Sequence, residues 1–229
     1  MAITVTATQS GAGAANGMLL RVKVLTHATL AGSPATGSVD SGGSTASPKA
    51  NITTTTAGSQ VYGALEFWHS SGGSFTAQSG TTLFDNVLDS TNGNVYGTCR
   101  TSTSTTLPGT ITVGASAPSN TGACAALLEV LASGGTITED SSAPASLNTT
   151  SAQTLTTASF TPPASALLVA MVAADGLNSA AVTMTVSDSS SLSWTERIAA
   201  KAAFFGYAGV WTATVPAAAA QTALLACLP

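Results

Sequence analysis

A run rich in carboxylate, amide and hydroxyl side chains lies in the first half of the chain. It comprises Asp85, Asn86, Asp89, Ser90, Thr91, Asn92 and Asn94. Calcium takes carboxylate and amide oxygens from loops of this kind, but an EF-hand-type loop would need Asp or Asn where Thr91 stands. Asn92-Gly93 is also the favoured pair for a tight hairpin turn, in which both central residues adopt positive φ. We therefore expect a hairpin without a metal ion, and calcium bound by Asp85 and Asp89 is the alternative.

Hydrolytic chemistry would need either an activated serine or two carboxylates across a cleft. His27 and His69 are the only imidazoles in the chain, and no Gly-x-Ser-x-Gly motif is present. Among the acidic residues, Glu66 and Asp85 are the best candidates for a general acid. Neither belongs to a pair with diagnostic spacing, so solvated faces and turn caps explain them more simply. We expect no catalytic residue, no cofactor and no enzymatic activity.

The chain contains three cysteines, Cys99, Cys124 and Cys227. Their odd number and their spacing do not fit a metal knuckle. We therefore expect the cysteines to behave as small buried apolar residues. A disulfide between Cys99 and Cys124 is the alternative, and a reducing cell would disfavour it.

Aromatic residues provide the other class of candidate contacts. Phe84 and Trp194, like Tyr96 and Tyr207, occupy matching places in the two halves of the chain, which is typical of core positions. Three aromatic residues lack such counterparts and are the candidate surface contacts: Trp68, Phe204 and Phe205.

The elements that position these residues are predicted to be short strands, because apolar and β-branched residues alternate between Gly, Ser, Asn and Pro clusters. Arg21 and Lys23 alternate with Leu20, Val22 and Val24, which indicates one wet and one dry face. Two Ala- and Leu-rich segments, residues 124–132 and 216–226, have helical propensity but are predicted as strands from their place in the repeat. The clearest strands are predicted at Ile3–Thr8, Leu19–Thr26, Gln60–Trp68, Thr110–Val113, Thr156–Phe160, Leu167–Ala173 and Val182–Val186.

The sequence has an internal repeat. Ala2-Ile3-Thr4-Val5 followed by Leu19–Leu25 returns as Thr110-Ile111-Thr112-Val113 followed by Ala126–Leu131. We therefore predict an all-β protein with two tandem antiparallel β-sandwich domains, jelly-roll or Ig-like, at residues 1–116 and 117–229. An alternative division shares a strand across the boundary. The Gly-, Ser- and Pro-rich segment Ala31–Lys49 is expected to be an extended arm or a mobile loop.

The composition excludes some partners. Of 229 residues, only 6 are Lys or Arg and 10 are Asp or Glu, giving a net charge of −4, while 44% are hydrophobic. Nucleic-acid binding is not expected because the cations are scattered. Membrane insertion is not expected because no apolar run approaches the roughly 20 residues that a spanning helix needs.

Three segments of the second half carry a family resemblance. They are Ser159–Met171, Leu192-Ser193-Trp194-Thr195-Glu196 and Gly206–Ala213. This part of the chain resembles the β-sandwich module of structural proteins from tailed bacteriophages, especially those of actinobacterial hosts. The first half departs from the pattern, with Phe84 in place of the tryptophan and Thr98-Cys99-Arg100 in place of Gly-Val-Trp.

The resemblance implies a virion protein, assembled in the bacterial cytoplasm and present in many copies or as a homo-oligomer. It would be a head decoration or minor tail protein that binds the major capsid or tail protein. Ala31–Lys49 and the N-terminal strand are the expected docking elements, since extended segments can add to a neighbouring sheet edge. The alternative is a host-adhesion module that binds a surface glycan through Trp68, Phe204 or Phe205.

Overall fold

The structure, a computed structural model, describes residues 1–11, 14–68, 73–119, 121–176, 182–202 and 206–218. All regular elements in these ranges are β-strands, which confirms the predicted all-β class. In chain order they are β1 Val5–Ser10, β2 Ala14–Thr26, β3 Ala28–Thr29, β4 Thr36–Ala46, β5 Lys49–Thr54, β6 Gln60–Trp68, β7 Thr76–Ala77, β8 Thr81–Asp89, β9 Asn94–Thr101, β10 Gly109–Ala117, β11 Thr121–Ala132, β12 Thr138–Glu139, β13 Leu147–Thr149, β14 Thr154–Thr156, β15 Leu167–Gly176, β16 Thr183–Asp188, β17 Thr195–Ala202 and β18 Gly206–Thr214.

The strands form two six-stranded sheets and two three-stranded sheets. In the first central sheet, β3 and β4 both pair with β11, and β6, β9 and β8 follow. In the second central sheet, β12 and β13 both pair with β2, and β15, β18 and β17 follow. The first outer sheet has the order β5-β10-β7 and the second outer sheet the order β14-β1-β16.

The sheets stack in four layers. The first central and first outer sheets enclose one core and form the first sandwich, and the second pair of sheets forms the second sandwich in the same way. A third core lies where the two central sheets pack face to face. Examples of core residues are Leu65, Phe67 and Val113 in the first sandwich, Leu20, Leu168 and Trp211 in the second, and Leu128, Val169 and Val210 between the central sheets.

The central strands are buried on both faces, which explains why their sequences do not alternate. All residues of β15 are buried. Residues 124–132 are a strand, as predicted, because burial on both sides overrides their helical propensity. The predicted wet face of β2 is wrong: the side chains of Arg21 and Lys23 point at the first central sheet and are only 18% and 12% exposed.

Several predicted strands match the structure. Gln60–Trp68 coincides with β6, whereas the strand predicted at Thr156–Phe160 ends at Thr156, and Phe160 makes only an isolated bridge with Ile3. Within the segment expected to be an arm or loop, Thr36–Ala46 forms β4 along β11. The N-terminal strand β1 is paired on both sides, so its edges are not free for docking. Of the predicted strand at 216–226, residues 219–226 lie outside the described residues.

The two sandwiches draw on the chain unequally. The first sandwich uses consecutive strands from β3 to β11, while the second combines β1 and β2 with β12 to β18. The division at residues 116 and 117 stays a prediction, as does the duplication. Hydrogen bonding crosses that division, because β2 pairs with β15 over Leu167–Gly176 and β11 pairs with β6.

Candidate functional site: polar clusters between the central sheets

Most of the ionisable groups considered for chemistry lie where the two central sheets meet. They form two groups. The ion-pair cluster comprises Arg21, Lys23, Phe84, Asp85, Arg100 and Glu139, and the acidic cluster comprises Glu66, Asp89, Asn94, Tyr96 and Asp175.

Asp85 is the centre of the ion-pair cluster. Arg21 donates to both of its oxygens, with Nε 2.5 Å from Oδ2 and Nη2 2.7 Å from Oδ1. Ser146 donates to Oδ1 at 2.7 Å, and Thr98 donates to Oδ2. Burial alone would raise the pKa of Asp85, but these hydrogen bonds outweigh it and hold the pKa below its usual value. Asp85 therefore joins β8 to β2 as a charged pair.

The Phe84 ring lies close to all three cations of this cluster. The Lys23 Nζ lies 3.8 Å from the ring centroid, and the guanidinium carbons of Arg21 and Arg100 lie 5.5 and 5.8 Å from it. The Glu139 carboxylate lies 2.7 Å from Lys23 Nζ and 3.0 Å from Arg100 Nε. Because every acid here has a cationic partner, the cluster is suited to holding the sheets together.

The acidic cluster contains no Lys or Arg side chain to balance its carboxyl groups. Glu66 is fully buried on the face of β6 that packs against the second central sheet, and among the described residues neither of its carboxyl oxygens has a hydrogen bond of normal geometry. Burial raises its pKa well above the usual value, repulsion from Asp175 adds to the rise, and the Cys124 thiol acts in the opposite direction. The environment of Glu66 therefore favours its neutral form.

The neighbouring acids make the same end of the interface polar. Burial raises the pKa of Asp175, Asn94 opposes the rise, and Asp89 adds to it. Asp89 is itself buried and accepts from Thr91 N at 3.0 Å and from the Tyr96 hydroxyl at 3.4 Å.

Two glycines of the second central sheet make room for this cluster. A Cβ on Gly206 would lie 2.2 Å from the Glu66 carboxyl carbon. A Cβ on Gly17 would lie 2.0 Å from the Tyr96 hydroxyl oxygen and 2.6 Å from Asp89 Oδ2. Side chains of the first central sheet thus insert against the backbone of the second, which is why larger residues are excluded at these positions.

The segment considered for calcium binding is a hairpin in the structure. β8 and β9 form the predicted hairpin, with Asp89 opposite Asn94, but positive φ occurs at Gly93 and not at Asn92, so the turn is not the one expected. Asp89 caps the turn and Asp85 pairs with Arg21. Among the described residues, no group of three or more His, Cys, Asp or Glu side chains is arranged to hold a metal ion.

The other predicted residues lie apart. Trp68, at the end of β6, is half-buried, while His69, Phe204, Phe205 and Cys227 lie outside the described residues. Cys99 and Cys124 are buried, as expected, and they occupy different cores on opposite faces of the first central sheet, so they cannot form a disulfide with each other. Burial raises the pKa of the Cys99 thiol to about 12. Tyr96 and Tyr207 are fully buried, which confirms their core assignment.

The outer faces of the molecule have a different chemistry. Thr6 and Thr156 share a hydrogen bond of 2.9 Å across the second outer sheet, and Thr53 and Thr110 share one of 2.8 Å across the first. A surface cleft of about 460 Å³ in the first sandwich is lined mainly by Ser and Thr, with Leu107 76% exposed and no ionisable side chain in its lining. The strands of the two outer sheets are therefore rich in hydroxyl groups and contain only two charged residues, Lys49 and Asp188.

Sequence reasoning singled out Glu66 and Asp85 but attributed them to solvated faces and turn caps, which is wrong because both are buried between the central sheets. The signal that was available is the placement of Arg21 and Lys23 on an otherwise apolar strand, since charged residues are rarely buried without partners. No sequence pattern connects Glu66 to Asp175, which approach each other only when the two central sheets pack.

Comparison of the chain with known protein families, with curated proteins and with solved structures found no match in any of the three. In the described parts of the chain, no helix is long and apolar enough to cross a membrane.

Proposed function

We propose that this chain is a non-enzymatic structural protein of a tailed-phage virion, a surface decoration or minor tail protein that binds the major capsid or tail protein. The proposal rests on where the fold places its carboxyl groups and where it places its hydroxyl groups. The described carboxylates that could act as general acids, Glu66 and Asp85, lie between the central sheets, while the outer sheets present Thr and Ser. The resemblance of the second half to phage β-sandwich modules supports the same role.

A neutral, hydroxyl-rich surface suits dense packing on a large assembly. Each contact contributes little, but repetition of the chain over a symmetric particle adds many contacts through multivalency. The two outer sheets lie on opposite sides of the molecule, which would allow it to contact the particle with one face and leave the other exposed.

Co-sedimentation of the purified chain with phage heads and with tail tubes tests this function. We expect saturable binding to one of the two particles in a fixed ratio. Two double variants identify the docking face: one carries Thr6→Lys and Thr156→Lys in the second outer sheet, and the other carries Thr53→Lys and Thr110→Lys in the first. The double variant on the docking face should weaken binding about tenfold or more, because it buries unpaired charge at the contact. Absence of saturable binding to both particles would contradict the proposal.

Host adhesion is the competing function, and one observation favours it: Trp68 is only half-buried at the end of a central strand. Binding of the chain to host cell-wall glycan that is lost in Trp68→Ala but retained in Trp194→Phe would establish adhesion instead.

A further inference from the structure

The N-terminal segment, residues 1–26, is an integral part of the second sandwich although it precedes the whole first sandwich in sequence. β2 lies between β15 and the short strands β12 and β13, and β1 lies between β14 and β16. Its side chains fill the second core, where Ile3, Val5, Leu20 and Val22 are fully buried. The remainder of the second sandwich therefore forms a cleft shaped for two strands, one in each sheet.

The connection between this segment and the rest of the chain is short and conformationally unusual. β2 ends at Thr26 and β3 begins at Ala28, so His27 alone carries the chain from the second central sheet to the first. His27 has a φ of 53°, and Gly32 and Ser33 have φ values of 106° and 61°. A left-handed conformation is uncommon for residues other than Gly, and strained hinge segments favour exchange of elements between identical chains.

The hinge can also lengthen, at the cost of the β3 pairing, the hydrogen bond from Ser133 N to His27 O and the packing of Ala28 and Leu30 against the core between the central sheets. Between His27 and Ala35 the only strand is β3, which pairs with β11 at Leu131 and Ala132 alone. If β3 is released, about nine residues become available and span up to roughly 30 Å, which is enough to reach a neighbouring molecule.

We propose that the cleft of the second sandwich accepts the N-terminal segment of a second copy of this chain, so that copies become linked by strand exchange. The exchanged form keeps every contact of the closed form except those at the hinge, including the pairing of β2 with β15 and the Arg21–Asp85 ion pair. Closure within one chain is favoured at low concentration, and exchange gains as copies are concentrated, as they are on a particle. The inference does not depend on what the outer faces bind.

Disulfide trapping tests the exchange in the full-length protein. Thr6 and Thr156 lie directly opposite each other on an outer face, with hydroxyl oxygens 2.9 Å apart. One chain carries Thr6→Cys and a second carries Thr156→Cys, both in a Cys227→Ser background. After the two are mixed at high concentration and oxidised, we expect a covalent dimer that joins one chain of each type.

The first sandwich supplies a matched control. Thr53 and Thr110 are also opposite each other, 2.8 Å apart, but both belong to the first sandwich, which contains no exchanged element. Chains carrying Thr53→Cys and Thr110→Cys separately should not cross-link with each other. Equal cross-linking of the two mixtures would show non-specific collision and would overturn the proposal, as would a complete absence of Thr6–Thr156 dimers.

Hinge variants provide a second readout. His27→Val disfavours positive φ and should raise the trapped dimer fraction about tenfold over that of His27→Gly, which relieves the strain of the closed form. Ser191→Val, at a positive φ of 59° away from the hinge, should leave the dimer fraction at the wild-type value. A dimer fraction that is the same in all three variants would contradict the role of the hinge.

Discussion

At the scale of single residues, the interface between the central sheets contains carboxyl groups in opposite situations. Asp85 is ionised and held by Arg21, Ser146 and Thr98, whereas Glu66 is buried and has no cationic partner in the part of the chain that the structure describes. A buried acid with a partner stabilises the folded state in its charged form, and a buried acid without one stabilises it only while protonated. The stability of the protein should therefore depend on pH in two opposite ways.

Glu66→Gln is expected to remove the loss of stability at high pH. The native pKa of Glu66 lies well above 4.5, so above pH 4.5 the unfolded chain has released a proton that the folded chain still holds. Stability is therefore full below pH 4.5 and falls as pH rises towards the native pKa, by up to about 1.4 kcal/mol per pH unit. Urea unfolding between pH 5 and 9 should show this slope reduced in Glu66→Gln and unchanged in the exposed control Glu196→Gln.

Asp85→Asn is expected to lower the free energy of unfolding by about 3 kcal/mol at neutral pH, because it leaves the Arg21 guanidinium without its counter-charge. The native pKa of Asp85 lies below 3.8, so this contribution is present above pH 3.8 and is lost as pH falls through the native pKa. The difference between wild type and variant should therefore shrink in acid. Asp40→Asn, at an exposed position, should change stability by less than about 0.5 kcal/mol. Equal stabilities of Asp85→Asn and wild type at neutral pH would contradict the ion-pair assignment.

At the scale of elements, the inner strands of the central sheets, such as β6, β15 and β18, differ from the strands of the outer sheets in having no solvent-facing side. In β15, Val169 faces the first central sheet and Ala170 faces the second outer sheet, and both are fully buried. In β16 only alternate residues are enclosed, with Met184 buried and Thr185 exposed.

Substitution by aspartate should reveal this difference. Val169→Asp and Ala170→Asp should each destabilise the protein by more than about 3 kcal/mol, because each buries an unpaired carboxyl group. In the outer strand, Met184→Asp should be similarly damaging, while Thr185→Asp should change stability by less than about 0.5 kcal/mol. Thermal unfolding monitored by circular dichroism measures all four variants, and a tolerated substitution at either β15 position would argue against the four-layer arrangement.

The same difference shows how far the sequence predicts the fold. Apolar runs and turn clusters are sufficient to place β6 and β15, because short strand-forming segments are encoded locally. The wet face assigned to Arg21 and Lys23 was wrong because alternation alone cannot distinguish water from a second sheet that supplies Asp85 and Glu139. Likewise, the sequence of Thr36–Ala46 has no apolar pattern that predicts a strand. It forms β4 because it pairs with β11. The acidic cluster could not be predicted because its members come from β6, β8, β9 and β15.

At the scale of the whole molecule, the chain folds as two sandwiches of which only the first is continuous in sequence. The first uses strands between Ala28 and Ala132, and the second needs β1 and β2, each of which is paired on both sides within its sheet. Removing those strands would expose the second core and separate β15 from β13.

Fragments of the chain should therefore differ in their ability to fold. Residues 27–132 should form a soluble β-structured unit with a cooperative unfolding transition, because all of their strands pair with one another. Residues 117–229, the second domain predicted from the sequence, should not fold alone but should gain structure when a peptide of residues 1–26 is added together with the first sandwich. Circular dichroism and amide hydrogen exchange distinguish these states. Cooperative folding of residues 117–229 alone would contradict the pairing described for β1 and β2.

The function proposed for the whole molecule rests on its neutral outer faces and on the burial of its reactive groups. The most direct test of that account is cryo-electron microscopy of virus particles purified from cells that produce this chain, with the chain labelled at an exposed position such as Leu107. The account predicts label at regular, symmetry-related positions on the head or the tail. Purified particles that lack the chain altogether would contradict it.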